Sequence, residues 1–268
     1  MAVADAAPFE LTLRRRTADV DEDGATTINE ASLSVTGGSL AVIVCDMWDV
    51  HWCAGATRRV GEIAPAMNHL LHALRDAGAL IIHAPSDTMG FYEGHPARER
   101  AKSAPFVSAP CDVQHWRSCD ASLEGSLPID DSDGGCDDIP VCGVPERMPW
   151  TRQHLTLDIA DSDTVTDIGQ EVHNLLEQFG SSLVLVMGVH TNMCVLGRPF
   201  GIRRLVGAGR QVALIRDMTD TMYNSRRPPF VDHFSGTELV IEHIERYWCG
   251  TVTSDQFVGG EPFQFRRD

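Results

Sequence analysis

One cysteine, two aspartates and a group of tryptophans and histidines carry the chemistry legible in this chain. Cys194 stands in SSLVLVMGVHTNMCVLGRPFGIRRL, where the apolar run from Leu183 to Met187 leads into Gly188, a polar turn, the cysteine and a segment of helical character. Such a strand–turn–helix unit sets a thiol at a helix start. Unpaired N–H groups and the positive end of the helix dipole favour the thiolate there, and the thiolate is the form that attacks. Asp46 follows AVIVC directly, and Asp87 lies just past ALIIHAP. If these runs are parallel strands, all three residues fall at carboxyl ends, where open parallel sheets hold their ligands. A carboxylate at Asp46 is then partly desolvated and suited to proton transfer. A helix cap, or a bond to a loop backbone, is its alternative use.

Around these three, Trp48, Asp49, His51 and Trp52 follow Asp46 within one short stretch and are candidates to line a substrate pocket; packing at a helix start is the alternative. Asp49-Val50-His51 is also a weak candidate metal pair. His190 sits in the turn before Cys194, either donating to substrate or exposed. Asn192 is expected to cap the following helix. Tyr223 and Asn224 are expected at the pocket rim, and His233 and His243, on a helical pattern, at the surface. Gly207-Ala208-Gly209 ends a helix and is no dinucleotide fingerprint.

The elements that must position these residues read as alternating strands and helices. SLAVIVCDM (39–47), ALIIHAP (79–85), SLVLVMG (182–188) and QVALIRD (211–217) are apolar runs of strand length, as expected for strands buried on both faces, and GTVTSDQ reads as a final strand. In VGEIAPAMNHLLHALRDAGA, Ile63, Met67, Leu70, Leu71 and Leu74 share one helical face, with Gly78 at the end. A second helix is predicted from a cap at 163–166, with Ile168, Val172, Leu175 and Leu176 inward and Gly180 as its stop. A third follows Cys194, kinked by Pro199 and Gly201, and a closing helix spans 232–248. The pattern predicts a three-layer α/β/α fold with a mainly parallel sheet. Residues 1–37 form an N-terminal extension, read as a hairpin around the acidic turn VDEDGA, and 38–268 a single domain. Between about 88 and 150 the periodicity fails, and Gly, Pro, Asp and Ser mark a long insertion of the kind that carries function.

The length, 268 residues with 43% hydrophobic, suits one domain with a full core. Acidic residues outnumber Lys plus Arg by 38 to 22, for a formal charge of −16, which argues against nucleic acid and anionic membrane as partners. No apolar run approaches the ~20 residues of a membrane span. The N-terminus lacks the basic start and apolar core of a signal peptide, so a cytoplasmic location is the default, although a processed, exported form has the same sequence. The eight cysteines contain no C-x-x-C pair and do not match a zinc ribbon or finger. Four of them, Cys111, Cys119, Cys136 and Cys142, cluster in the insertion as free thiols or, alternatively, as disulfides.

AVIVCDMWDVHWC followed by LVLVMGVHTNMCV resembles the isochorismatase-like family of cysteine hydrolases, which includes nicotinamidases and N-carbamoylsarcosine amidases. The similarity spans roughly 39–87 and 150–220, and its most specific element is the turn G-V-x-T-x-x-C-V. The resemblance implies a six-stranded parallel sheet and an Asp–Lys–Cys triad, with Asp46 as acid/base and Cys194 as nucleophile. It also implies a non-proline cis peptide at Val189–His190, an oxyanion hole from the backbone N–H groups of His190 and Cys194, and homo-oligomers. Two departures stand out. MPWTRQHLTLDI, where the triad lysine belongs, holds no lysine; Arg152 occupies about its place, with His154 as the other cation. Arginine keeps its proton, so it can orient a carboxylate without shuttling protons. The metal-binding D-x-H of nicotinamidases is also broken, since Asp87 has Met89 two places on and His95 alone does not restore it. No cofactor is expected.

The leading expectation is a cysteine hydrolase acting on a small amide or related C–N bond of a small-molecule substrate, with a thioester on Cys194. The pocket is expected to take in Trp48, Asp49, His51, Trp52, Asp87, His154 and Tyr223. A non-catalytic binding protein on the same fold, or an isochorismatase-type vinyl-ether hydrolase, are the alternatives.

Overall fold

Residues 7–20 and 26–267 are described, from a computed structural model. The acidic turn expected between the hairpin strands lies outside those residues. In chain order the elements are β1 (Phe9–Val20), β2 (Thr26–Val35), β3 (Leu40–Cys45), α1 (Ala54–Asp76), β4 (Leu80–Ala84), α2 (Pro96–Lys102), α3 (Ala121–Glu124), β5 (Thr164–Val165), α4 (Gly169–Phe179), β6 (Leu183–Val189), α5 (Cys194–Gly197), α6 (Ile202–Gly207), β7 (Val212–Asp220), α7 (His233–Tyr247), β8 (Gly250–Val252) and α8 (Asp255–Val258).

The strands form one sheet in the order β2-β1-β8-β7-β6-β3-β4-β5. The six from β8 to β5 are mutually parallel. The β1–β2 hairpin adds to the β8 edge antiparallel, at Arg14 opposite Thr251. Arg14 and Arg16 fasten it to α7, each bonding the buried Glu245, at 2.7 and 3.1 Å.

Every residue of β3 and β6 is buried. Their alternation is hidden because both faces are covered: Ala41, Ile43 and Cys45 pack against α4, α6 and α7, while Leu40, Val42 and Val44 pack against α1. This is the three-layer arrangement that the continuous apolar runs predict. Truncating a side chain such as Ile43 to Ala would cost about 2–5 kcal/mol through the cavity left behind. Among the described residues no helix is long and apolar enough to cross a membrane.

Three local expectations are corrected. Thr164–Val165 is not a helix cap but a two-residue edge strand beside β4, and α4 begins only at Gly169. Ile168, expected inward, is 43% exposed as the residue before that helix. The segment after Cys194 is two short helices rather than one kinked helix, because Arg198-Pro199-Phe200-Gly201 interrupts it.

The chain order places the site. From β3 the chain moves outward through β4 to β5; it then returns to β6 on the other side of β3 and continues to β7 and β8. The order therefore reverses between β3 and β6, and the carboxyl ends of those two neighbours open the crevice in which such sheets bind ligands.

Candidate active site

Asp46 leaves the end of β3 and Cys194 lies just past the end of β6, so the two meet at that reversal. Asp46 is fully buried and takes a left-handed backbone, φ 48°, a conformation that aspartate tolerates better than most residues. Its Oδ1 accepts from the Ser86 N–H at 2.7 Å, and its Oδ2 from Arg198 Nε at 2.9 Å. The Asp46 charge and the His190 backbone both act on the Cys194 thiol. The peptide between Val189 and His190 is cis. Gly188, at φ 112°, precedes it, and a Cβ there would collide with the Cys45 carbonyl. Only glycine lets β6 pass β3 this closely.

Cys194 opens α5 and is 8% exposed. Its thiol is pushed well above the ordinary range, first by burial and then by the Asp46 charge; Arg198 and the His190 N–H pull the other way. The thiolate expected from the helix start is thus overridden, and the resting group is a thiol beside a carboxylate that can take its proton.

The cation in contact with Asp46 is Arg198. It reaches Asp87 as well, at 3.3 Å, and lies over the Trp116 ring. Arg152 stands elsewhere: its guanidinium covers the Phe91 ring, and its backbone accepts from the Asp49 N–H. His154 is half-buried, with Nδ1 accepting from the Thr156 N–H. Reading the sequence for a cation before α4 missed Arg198. The signal present was spacing, since residue i+4 from Cys194 returns to the same side of a helical turn.

Of the expected pocket residues, Trp48 is buried, donates to the Ser86 carbonyl and stacks on Trp150 at 4.0 Å. His51 lies against Trp150 and meets the His190 ring edge-on at 5.0 Å. Burial, then the Arg59 charge, pulls His51 down to about 4, so the ring is neutral. His190 is nearly fully buried, and neither ring nitrogen has a hydrogen-bond partner among the described residues; the same holds for Ser86 Oγ. Trp52 packs aside, against Cys53 and Cys136. Asp49 is engaged by the Thr151 N–H and hydroxyl.

Tyr223 is not at a rim. It is fully buried, its hydroxyl donates to the Arg227 carbonyl and its ring fills the space over Gly236. Asn224 bonds Asp133. Asn192 does not cap α5; its side chain ties Asp131 of the insertion to Met222. His233 and His243, expected at the surface, are both drawn inward by carboxylates, His233 by Asp220 and His243 by Glu124, each at 2.8 Å.

The insertion closes over the site. Trp150 lies on Trp48, Trp116 packs against Gly197, and Asp131 bonds Asn192. Glu124 of α3, fully buried, accepts from Arg203, His243 and Trp248. Burial alone would raise its carboxyl, yet these donors hold it at about 2.

Asp49 and His51, the candidate metal pair, are both engaged in local hydrogen bonds. The Asp49 carboxylate is occupied by the 151–152 backbone and Thr151, and His51 Nδ1 accepts from the Cys53 N–H. Among the described residues, the ligating atoms that do converge belong to Cys53, Cys136, Asp138 and Cys142.

No protein-family model matches the chain, and no curated protein matches it. Solved structures do. A cysteine hydrolase from Pseudomonas syringae pv. phaseolicola 1448A superposes at TM-score 0.52 with 17% identity, over 83% of this chain and 92% of that one. An isochorismatase-like hydrolase from Alkaliphilus metalliredigens gives 0.46 at 12% identity, over 83% and 96%. The pyrazinamidase of Pyrococcus horikoshii, in complex with zinc, gives 0.43 at 18%, over 80% and 98%. The Pseudomonas likeness shows a shared fold: the α/β architecture here is that of the Pseudomonas cysteine hydrolase.

Proposed function

We propose that this protein is a cysteine hydrolase that cleaves a small-molecule amide or related C–N bond. The observation that carries the reading is a fully buried, arginine-held Asp46 at the end of β3 whose charge bears on the Cys194 thiol just past the end of β6, next to a cis peptide. In this reading Asp46 takes the thiol proton as sulfur attacks the substrate carbonyl carbon. The oxygen becomes an oxyanion held by the N–H groups of His190 and Cys194. The C–N bond then breaks, Asp46 returns the proton to the leaving nitrogen, and an amine departs from a thioester. Asp46 next takes a proton from water, whose oxygen attacks the thioester; the thiol is regenerated with a carboxylic acid product. Arg198 keeps Asp46 oriented and its charge compensated, and takes no proton step.

Ser86 Oγ and the His190 ring, buried and unpartnered, are the groups we assign to polar atoms of the substrate. The stacked Trp48 and Trp150 exclude water from the acyl intermediate.

The test is ammonia or amine release across a panel of small primary amides and ureas. Mass spectrometry of the Cys194 peptide should then show an acyl adduct trapped from the active substrate. Cys194→Ala is expected to abolish turnover with an unchanged circular dichroism spectrum. Turnover that survives in Cys194→Ala overturns the mechanism, and tight binding without turnover in wild type moves the protein to the non-catalytic reading.

A further inference from the structure

Apart from the catalytic centre, a second cluster of sulfur and carboxylate groups joins the insertion to the start of α1. Cys53 is the residue before α1, and its Sγ accepts from the Ala56 N–H at 3.5 Å. Asp138 lies across from it, accepting from the Ala54 and Gly55 N–H groups at 2.7 and 2.9 Å. Cys136 and Cys142, joined as a disulfide, place their sulfurs 3.6 and 3.5 Å from Asp138 Oδ2. The three sulfurs and one carboxylate oxygen all lie within 4.8 Å of one another.

We propose that, with Cys136 and Cys142 reduced, Cys53, Cys136, Cys142 and Asp138 bind one zinc-class divalent ion that fastens the insertion to α1. Three soft sulfurs and one carboxylate oxygen, four donors in all, suit a closed tetrahedral zinc site. Tetrahedral bonds of about 2.3 Å to sulfur set ligand atoms roughly 3.5–3.8 Å apart, so once the disulfide is reduced its two sulfurs must separate while the rest of the cluster, already within 4.8 Å, closes in. Outer partners are already in place. Backbone N–H groups bond Cys53 and Asp138; Arg59 pairs with the neighbouring Asp137 at 2.7 Å, and Arg226 donates to the Asp138 carbonyl at 3.0 Å. Such groups orient ligands and offset their charge. Gly135, at φ 72°, presses its backbone on Met222, and a Cβ there would collide with the Met222 carbonyl, so the ligand loop is seated from below.

The two states exclude each other. A dithiol reductant breaks the Cys136–Cys142 S–S bond, leaving two thiols, and is itself oxidised to a cyclic disulfide. Zinc then displaces one proton from each of the three thiols and takes Asp138 as its fourth ligand. The site is independent of the proposed hydrolase chemistry.

The test uses the full chain, reduced with a dithiol and freed of it without oxygen, then titrated with zinc chloride against a chromophoric chelator. Alkylation of each cysteine is read by peptide mass spectrometry in parallel. One zinc is expected per chain, with Cys53, Cys136 and Cys142 protected by zinc, released by chelator, and Cys119 alkylated throughout. The oxidised protein should bind none. Cobalt in place of zinc should give the tetrahedral thiolate spectrum. In Cys53→Ser the affinity should fall by more than the roughly 10–100-fold that loss of an outer-shell partner costs, while Cys119→Ser leaves it unchanged. Failure of reduced wild type to bind zinc overturns the proposal, and so does binding that leaves Cys53 open to alkylation or that is lost in Cys194→Ala. If Cys53→Ser does not fold, the wild-type footprint decides alone.

Discussion

Asp46 and Glu124 are both fully buried carboxylates gripped by an arginine, and their surroundings put them to opposite uses. Glu124 is saturated. Arg203 meets it with two nitrogens, His243 and Trp248 add one N–H each, and the Asp120 backbone a fifth. No lone pair is left for chemistry, and the group acts as a rivet between α3, α6 and α7. Asp46 receives one backbone N–H and a single arginine nitrogen, and its remaining capacity faces a thiol. A buried charge is therefore no sign of function in itself; the unspent lone pair beside a thiol is what separates the two sites.

The largest effect that tests this contrast is on chemistry. Asp46→Asn should lower hydrolysis by about 10²–10⁴-fold, the usual worth of a general acid–base. It should also move the pH profile of Cys194 alkylation down, because a charge that raises the thiol is gone. A profile unmoved by Asp46→Asn would break the comparison at its reactive end.

Glu124→Gln should act on stability alone. Removing one partner of a buried ion pair costs about 3–5 kcal/mol, read as a lower denaturant midpoint, with the Cys194 profile unchanged. Loss of Cys194 reactivity in folded Glu124→Gln would mean that the two regions are not separable.

The same carboxylate sets a pH window. Its folded value of about 2 lies below the ordinary 4.5. Its stabilisation is therefore complete above pH 4.5 and lost as pH falls toward 2, on the order of 3 kcal/mol. Equilibrium unfolding between those pH values should show that decline in wild type and a flatter curve in Glu124→Gln.

The smallest effects sharpen the identity of the cation. Arg198→Ala should raise the alkylation midpoint of Cys194, and Arg198→Lys should restore part of the difference. Arg152→Ala should leave the midpoint in place and cost under about 1 kcal/mol, as expected of an arginine over the exposed Phe91 ring. A shift from Arg152→Ala as large as that from Arg198→Ala would return the role to Arg152.

Much of the frame was legible in the chain. Strands buried on both faces must be apolar throughout, so β3, β4, β6 and β7 announce themselves, and the residue after such a run must lie at a carboxyl end. That logic located Asp46 and Cys194. It failed at β5, where two residues are too few to show a period, and at Ile168, whose apolar side chain fits a helical pattern that begins only after it. Tyr223, His233 and His243 were misplaced for one reason: polar tips can enter a core when partners such as the Arg227 carbonyl, Asp220 and Glu124 wait there, and no periodicity marks those partners, whether near in the chain like Arg227 or far like Glu124.

The sequence by itself determined the alternation of strand and helix, the reversal of strand order that it allows, and a carboxylate and a thiol at strand ends, because local periodicity and burial act over a few residues. Tertiary structure alone decided which arginine meets Asp46, how the Cys194 thiol is poised, and that Cys53 faces Cys136 and Cys142. Each depends on where the chain turns at Pro199 and on how the insertion folds back over β3 and β6. Contacts made across such distances are selected by packing and desolvation rather than by spacing.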